Sequence, residues 1–520
     1  MSKELQTLPI GIQSFEMLRK RGHLYVDKTA RLMELVNSDR YFLSRPRRFG
    51  KSLTLSTLDA MFQGKAELFK GLAAEAWVAE QAKRPAPVLR LDMSMMNVRD
   101  VAQFEESLNS TLTWRAEEAG EGLSSKQPSD RFQELIRALY KQGGPVVVLI
   151  DEYDKPILDK IGNLEAAEAM REALRGFYTV LKGCDEYLRF VMLTGISKFT
   201  KTGVFSAMNN LDDISMDWQF GDIVGYTQEE LEADFSGWIA ATAEKMNATR
   251  ETLLARMKDY YDGFCFDGRK RLYNPFSVMQ CLVKARFSNY WYDSGSPSFI
   301  VSYMQRHNIH DPEAYRHLKV AWDFAGTQEI ERAKPESFLY QSGYLTIESA
   351  EEQELTLDYP NREVLDSISR LYLDNVYRVE GFTALGSNLW RALGDGDIEG
   401  AVRLYNTALA GIPYQDFTQQ NESLYRSLFL MLLRGAGVTA QGEVPTNRGR
   451  SDVLVLFPSR AVVLEFKLAR SAGEVARLRA EGRKQIEEKG YAKPYDGEGR
   501  AVTSAVIVIE TKKRTALVCS

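Results

Sequence analysis

Several things that mark whole protein classes are scarce in this sequence. Cysteine occurs four times in 520 residues (Cys184, Cys265, Cys281 and Cys519), and never in a CxxC pair. That excludes a zinc knuckle or a disulfide scaffold and suits a reducing compartment. No stretch approaches about 18 consecutive apolar residues, so no membrane span is expected. Met1-Ser2-Lys3-Glu4 is not a basic region followed by an apolar run, so a cytoplasmic location is expected. Histidine also occurs only four times. His307 and His310 have metal-like spacing, but no second ligand pair accompanies them, and they read as surface histidines. An excess of positive charge is missing too, the formal net charge being -5. The global balance therefore does not favour a nucleic-acid partner, although a local basic patch can sit on an acidic protein. Internal repeats and low-complexity segments are absent.

What is present is the composition of an ordinary globular protein, 44% hydrophobic and 26% charged. At ~100–200 residues per domain, the length predicts about two to four domains. Tyr41-Phe42-Leu43 reads as a buried strand followed by a helix from Gly50 to Phe62. Further strands are expected at Pro87–Leu91, Pro145–Ile150 and Leu188–Thr194, with helical stretches between them. Strands alternating with helices indicate a parallel, doubly wound sheet. From about residue 226 the pattern turns mostly helical, opening on Thr227 and Glu230 at capping-box spacing. Residues 365–412 keep helical periodicity. A helix from Glu422 to Leu433 then leads to strands at Val453–Phe457, Ala461–Phe466 and Ala501–Ile509, a separate α/β unit.

The strongest local motif is Arg45-Pro46-Arg47-Arg48-Phe49-Gly50-Lys51-Ser52, between a strand and a helix. Unpaired N–H groups at a helix start, with the positive end of its dipole, cradle phosphates. Residues Arg47, Arg48, Phe49, Gly50, Lys51 and Ser52 are the expected nucleotide contacts. Lys51 would place a point charge on the β and γ phosphates, and Ser52 would offer its hydroxyl to Mg²⁺. The common pattern has glycine where Arg45 stands, and a lone Gly-Lys-Ser also fits a basic turn capping a helix. Asp151-Glu152 weighs against that bland reading, because it ends an apolar strand. There Asp151 can hold Mg²⁺ and Glu152 can polarise an attacking water. A third strand ends in Thr194-Gly195-Ile196-Ser197-Lys198, which makes Ser197 a candidate sensor of the γ-phosphate. Lys28 and Lys198 are candidate accessory contacts.

Near the other end, Gly449-Arg450-Ser451-Asp452 precedes one strand and Glu465-Phe466-Lys467 closes the next. Alternation along a strand puts Glu465 and Lys467 on one face. Asp452 at the start of the neighbouring strand could meet them. Asp452 and Glu465 are then the metal ligands, and Lys467 stabilises developing charge, an arrangement suited to phosphodiester hydrolysis. An isolated Glu-x-Lys is usually a solvated strand edge. Here both strands are otherwise apolar, and burying such charges without a metal or partner would cost several kcal/mol.

Taken together these motifs resemble the bacterial and archaeal AAA-ATPase-like proteins that carry a C-terminal PD-(D/E)xK nuclease domain. The resemblance runs through Leu8-Pro9-Ile10-Gly11, Tyr25–Thr29, Arg45–Ser52, Leu149–Pro156, Thr194–Phe199, Phe205-Ser206 and Asn209-Asn210-Leu211. It continues in Gly225-Tyr226-Thr227, Tyr273–Ser277, Gly343–Thr346 and Pro360–Val364. In this family arginine at position 45 looks normal. The resemblance implies an α/β fold with a P-loop parallel-sheet ATPase core (1–225), a helical or winged-helix lid (226–350), a helical connector (351–414) and a restriction-endonuclease-like α/β domain (415–520). It also implies Glu443 as an additional acid, with Gln485 and Tyr491 in the same conserved segment. The expected cofactors are ATP and Mg²⁺, with Mn²⁺ an alternative at the nuclease site. The expected substrate is nucleic acid, DNA before RNA, with self-assembly into a homo-oligomer as a further candidate partner and with no membrane partner. Defence or DNA processing is the role such a protein would suit. The competing readings are a nucleotide-switched signalling or scaffold protein whose nuclease-like domain only binds, and an effector module.

Overall fold

The computed structural model describes residues 5–36, 40–198, 211–294, 298–307, 309–326, 334–413, 420–446, 449–495 and 499–519. The motif residues Phe199, Phe205-Ser206 and Asn209-Asn210 lie outside these ranges, as do Met1–Glu4 and the expected boundary at 414 and 415. The chain divides into two compact units, one of residues 1–303 with 317–363, the other of residues 304–316 with 364–520.

The first unit is built on a parallel sheet. Strand β1 (Arg40–Ser44) leads into helix α1 (Lys51–Phe62), then β2 (Val88–Asp92), α2 (Val101–Glu118), α3 (Pro128–Gly143), β3 (Val146–Asp151), α4 (Leu164–Gly183), β4 (Leu188–Gly195) and the short β5 (Asp212–Asp213). The spatial order is β2-β3-β4-β1-β5, every pairing parallel. Strands covered by helices on both faces must be apolar throughout. β1 and β3 are buried at every residue, and β3 reads Val-Val-Val-Leu-Ile before Asp151. Helix α3 starts at Pro128, whose fixed φ suits a first turn, and gives way to Gly144 at φ 82.

The expected strands of this sheet and the helix after β1 fall where the pattern put them, with ends shifted by a residue or so. Beyond the sheet come α5 (Gln228–Asp234), α6 (Ser236–Lys245), α7 (Arg250–Tyr261) and α8 (Pro275–Lys284). Helix α5 opens on the capping box of Thr227 and Glu230 that the spacing predicts. A small antiparallel sheet follows, β6 (Leu318–Ala321), β7 (Thr346–Ala350) and β8 (Glu354–Asp358), ordered β6-β8-β7. The stretch 351–414, expected to be a helical connector, is therefore not helical throughout. Its first part supplies β8 to the first unit, and its helices from Val364 onward belong to the second.

In the second unit α9 (Phe382–Asp395), α10 (Ile398–Gly411) and α11 (Glu422–Gly435) precede a five-stranded sheet. Its strands are β9 (Ala440–Thr446), β10 (Gly449–Leu456), β11 (Arg460–Ala469), β12 (Ala501–Glu510) and β13 (Thr515–Cys519), in sequential spatial order. Only β11 and β12 run parallel, and their crossover is helix α12 (Val475–Lys489). β9 and β13 were not expected from the sequence. β9 alternates exposed and half-buried residues after Ala440, so no apolar run announces it.

Candidate functional site

The phosphate loop joins β1 to α1. Arg48 and Gly50 both take positive φ, 67 and 102, which turns the chain sharply enough to aim the first amides of α1 at one point. Lys51 lies under the loop, buried, with Nζ donating to the carbonyls of Arg45 at 2.9 Å and Pro46 at 3.0 Å. Burial lowers its pKa, opposed by the charges of Glu152 and Asp151.

Arg45 explains why glycine is not needed at that position. Its side chain is only 1% exposed and points away from the loop into the core. Nη1 donates to the carbonyls of Ser44 at 2.9 Å and Ser215 at 2.6 Å, and the guanidinium stacks 4.4 Å from the Phe266 ring centroid. Burial pushes its pKa down to about 10. Phe49 is buried as well, edge-on to Phe264 and Phe266. Arg47 is half-buried, and Arg48 lies exposed over the Phe276 ring.

Parallel register brings the ends of β3 and β4 beside the loop. Asp151 Oδ1 accepts from the Thr194 hydroxyl at 2.7 Å. Glu152 follows at φ 48, a left-handed conformation rare for glutamate, which turns it out of the strand. Burial raises its pKa, with the Lys51 charge acting the other way. Residues 47–52, Glu152 and the apolar side chains of Val26, Tyr226, Phe276 and Met279 border one cavity of about 380 Å³.

Three expected contacts have protein partners in this structure, and Lys28 also borders the cavity. Ser197 donates its amide at 2.7 Å and its hydroxyl at 2.6 Å to Asp154 Oδ2. Lys28 is paired with Glu230 at 2.6 Å, the same glutamate that closes the α5 capping box. Lys198 is paired with Asp213 at 3.1 Å. Asp154 is the residue that sequence reasoning passed over. It is fully buried and also accepts from the Ile196 amide, fastening the turn after β3 to the end of β4. A Cβ at Gly195 would meet Asp154 Oδ1 at 2.6 Å, which accounts for glycine there.

In the second unit the register assembles the carboxylates. Gly442 pairs with Val453 and Val444 with Ser451, which sets Glu443 opposite Asp452. Val453 pairs with Leu464, so one step further sets Asp452 beside Glu465. Three acids thus cross three neighbouring strands in a row. Asp452 Oδ2 accepts from the Phe466 amide at 2.7 Å, and Lys467 Nζ donates to Glu465 Oε1 at 2.7 Å. Glu465 Oε2 is buried and has no hydrogen-bond partner. Burial, and then the Asp452 charge, push the Glu465 pKa up to about 7. Burial works against the Lys467 charge, yet its hydrogen bond to Glu465 holds its pKa above the ordinary value.

Helix α11 adds two residues that sequence reasoning missed. Glu422 in its first turn has a pKa raised by burial, with Lys467 lowering and Asp452 raising it further. Arg426, one turn on, bridges Asp452 and Glu443. An acid and an arginine four residues apart are an ordinary helix-surface pair, so nothing in the sequence marked them. Gln485 and Tyr491 contact one another at 3.2 Å. His307 and His310 are half-buried rather than plain surface residues. Among the described residues, the group of three His, Cys, Asp or Glu side chains with ligand atoms all within 4.8 Å of one another is His317, Glu348 and Asp358, at the small sheet.

Comparison with known proteins agrees with this geometry. Residues 9–205 match the family model described as "Predicted AAA-ATPase", and residues 420–518 match the PD-(D/E)XK nuclease superfamily. A protein of Azotobacter chroococcum mcd 1, described as uncharacterized and lying in the vnfD 5' region, is 34% identical over 95% of both chains. The Aeropyrum pernix ORC1 protein solved in complex with DNA aligns at 11% identity and TM-score 0.26, over 66% of this chain and 92% of that one. So low a score adds nothing about fold or function. No helix among the described residues is long and apolar enough to cross a membrane. Two domain matches in the expected order, and one relative matched along nearly its whole length, establish that the chain belongs to the AAA-ATPase-like family that carries a C-terminal PD-(D/E)XK nuclease-superfamily domain.

Proposed function

We propose that this protein binds and hydrolyses ATP at the phosphate loop and cleaves nucleic acid, DNA foremost, at the carboxylate row of its second unit. The observation that carries the nuclease reading is the row itself. Glu443, Asp452 and Glu465 lie in register on three neighbouring strands, Lys467 is hydrogen-bonded to Glu465, and Glu465 Oε2 is left buried without a partner. A buried carboxylate oxygen with nothing to accept from is unfavourable by about 1–3 kcal/mol or more, and a cation is the partner that fits this donor set. A divalent ion held there, Mg²⁺ or Mn²⁺, supplies Lewis acidity and acidifies bound water. Asp452 and Glu465 provide the ligand oxygens. Lys467 holds positive charge beside Glu465, where it can stabilise the charge that develops on the phosphate.

At the other site the loop amides and Lys51 receive the triphosphate, and Ser52 and Asp151 face its Mg²⁺. Glu152, turned out of β3 toward the cavity, orients the attacking water. Its raised pKa favours a group that can take up a proton. Val26, Tyr226, Phe276 and Met279 give the cavity the apolar surface a nucleobase needs.

The test is a panel of linear, circular and single-stranded DNA and of RNA, incubated with the full chain and Mg²⁺ or Mn²⁺, with and without ATP. Metal-dependent cleavage supports the reading. Tight nucleic-acid binding without cleavage under every condition would leave the nucleotide-switched scaffold in its place.

A further inference from the structure

The Arg426 side chain is 10% exposed and projects from α11 into the carboxylate row. Nη1 donates to Asp452 Oδ1 at 2.9 Å, and Nη2 donates to Glu443 Oε1 at 2.5 Å. Its Nε is buried with no partner, so the side chain is held almost wholly by these two acids. The second oxygen of Asp452 is taken by the Phe466 amide, and one oxygen of Glu465 by Lys467. Each oxygen of Asp452 therefore accepts one hydrogen bond, and the guanidinium lies where a cation's charge is wanted.

We propose that Arg426 is a built-in competitor of the metal. It neutralises Asp452 and Glu443 while the site holds no ion, and it competes with an incoming ion for the charge of Asp452 and Glu443. The proposal rests on the reading that this row holds a divalent metal. Its physical basis is the cluster of acids Glu422, Glu443, Asp452 and Glu465. Carboxylates on three neighbouring strands and on the adjacent helix repel one another, and an arginine fork that engages two of them relieves that repulsion. The same charge opposes an incoming dication. Removing one positive charge within a few ångströms of a partly buried ion corresponds to about a tenfold gain in affinity or more. Arg426 is thus a positioning residue that sets metal affinity and keeps the metal-free fold intact.

The experiment uses the full chain without nucleotide and reads Mn²⁺ binding from the electron paramagnetic resonance of the free ion. Thermal unfolding in EDTA and in Mn²⁺ is measured in parallel, and Asp452→Asn identifies the site. Arg426→Met is expected to bind Mn²⁺ about tenfold tighter than the unaltered protein, to melt lower in EDTA, and to gain more from Mn²⁺. Arg426→Lys keeps one charge but loses the two-acid fork, and is expected to bind tighter than arginine to a smaller extent. Should the methionine variant fail to fold, the lysine variant alone decides. Equal or weaker Mn²⁺ binding in the folded variants, with Asp452→Asn abolishing it, would overturn the competitor role and leave the metal site standing. No Mn²⁺ binding in any variant, or binding that Asp452→Asn leaves intact, would remove the metal reading and this inference together.

Discussion

Replacing Arg45 with methionine keeps an apolar stem of similar length and removes the guanidinium. The carbonyls of Ser44 and Ser215 then lose the Nη1 donor, and that of Phe220 the longer 3.4 Å bond from Nη2, in a core position that is 1% exposed. Each orphaned acceptor is destabilising by about 1–3 kcal/mol, and the stacking on Phe266 at 4.4 Å adds about 1–2 kcal/mol. Against this, the variant no longer has to bury a charge, a penalty visible in the lowered Arg45 pKa. The balance is a loss of about 3 kcal/mol, or on the order of 5 °C in melting temperature. Because Arg45 points away from the loop, ATP affinity should fall only through loosening of the loop, by about tenfold at most. Differential scanning fluorimetry and a fluorescent-nucleotide titration on the same sample measure both. A variant as stable as the unaltered protein but unable to bind ATP would refute the anchor role and make Arg45 a nucleotide contact.

Lys51→Ala removes the one buried ammonium of the loop and is expected to weaken ATP binding by about 100-fold or more, read by the same titration. Glu152→Gln should retain ATP binding and lose about 100-fold or more in turnover, measured as phosphate release, since its task is the attacking water. The pKa of Glu465 yields a pH dependence with a definite sign. Folding raises it from 4.5 to about 7, so the folded protein holds that proton more tightly than the unfolded chain. The stability it contributes in EDTA is present below about 4.5 and is lost as pH rises toward 7. Mn²⁺ affinity, which needs the carboxylate, should rise over the same range and release protons below pH 7, as calorimetry in buffers of different ionisation enthalpy would detect.

Much of the fold could be read directly because the first unit obeys strong rules. Its central strands are uninterrupted β-branched and leucine runs, as in β3, and helix starts carry capping chemistry, as at Thr227. The row of Asp452, Glu465 and Lys467 was legible because strand alternation and antiparallel register leave few options. What stayed hidden depended on tertiary partners. Asp154 looked like one more acid after Asp151, and only the approach of Ser197 and Ile196 makes it a buried clamp. Arg426 and Glu422 resembled a solvated helix pair until α11 was laid across the acids. Ser197 and Lys28 fit a phosphate site by type, but their hydrogen-bond partners Asp154 and Glu230 depend on tertiary approach and leave no mark in the sequence.

The most direct measurement compares the full chain with its Asp452→Asn variant in the cleavage of linear DNA with Mn²⁺ and ATP present. The account predicts cleavage by the first, loss of about 100-fold or more in the variant, and unchanged ATP binding in both. Equal cleavage by the two proteins would contradict it, because the carboxylate row would then not be the site of hydrolysis.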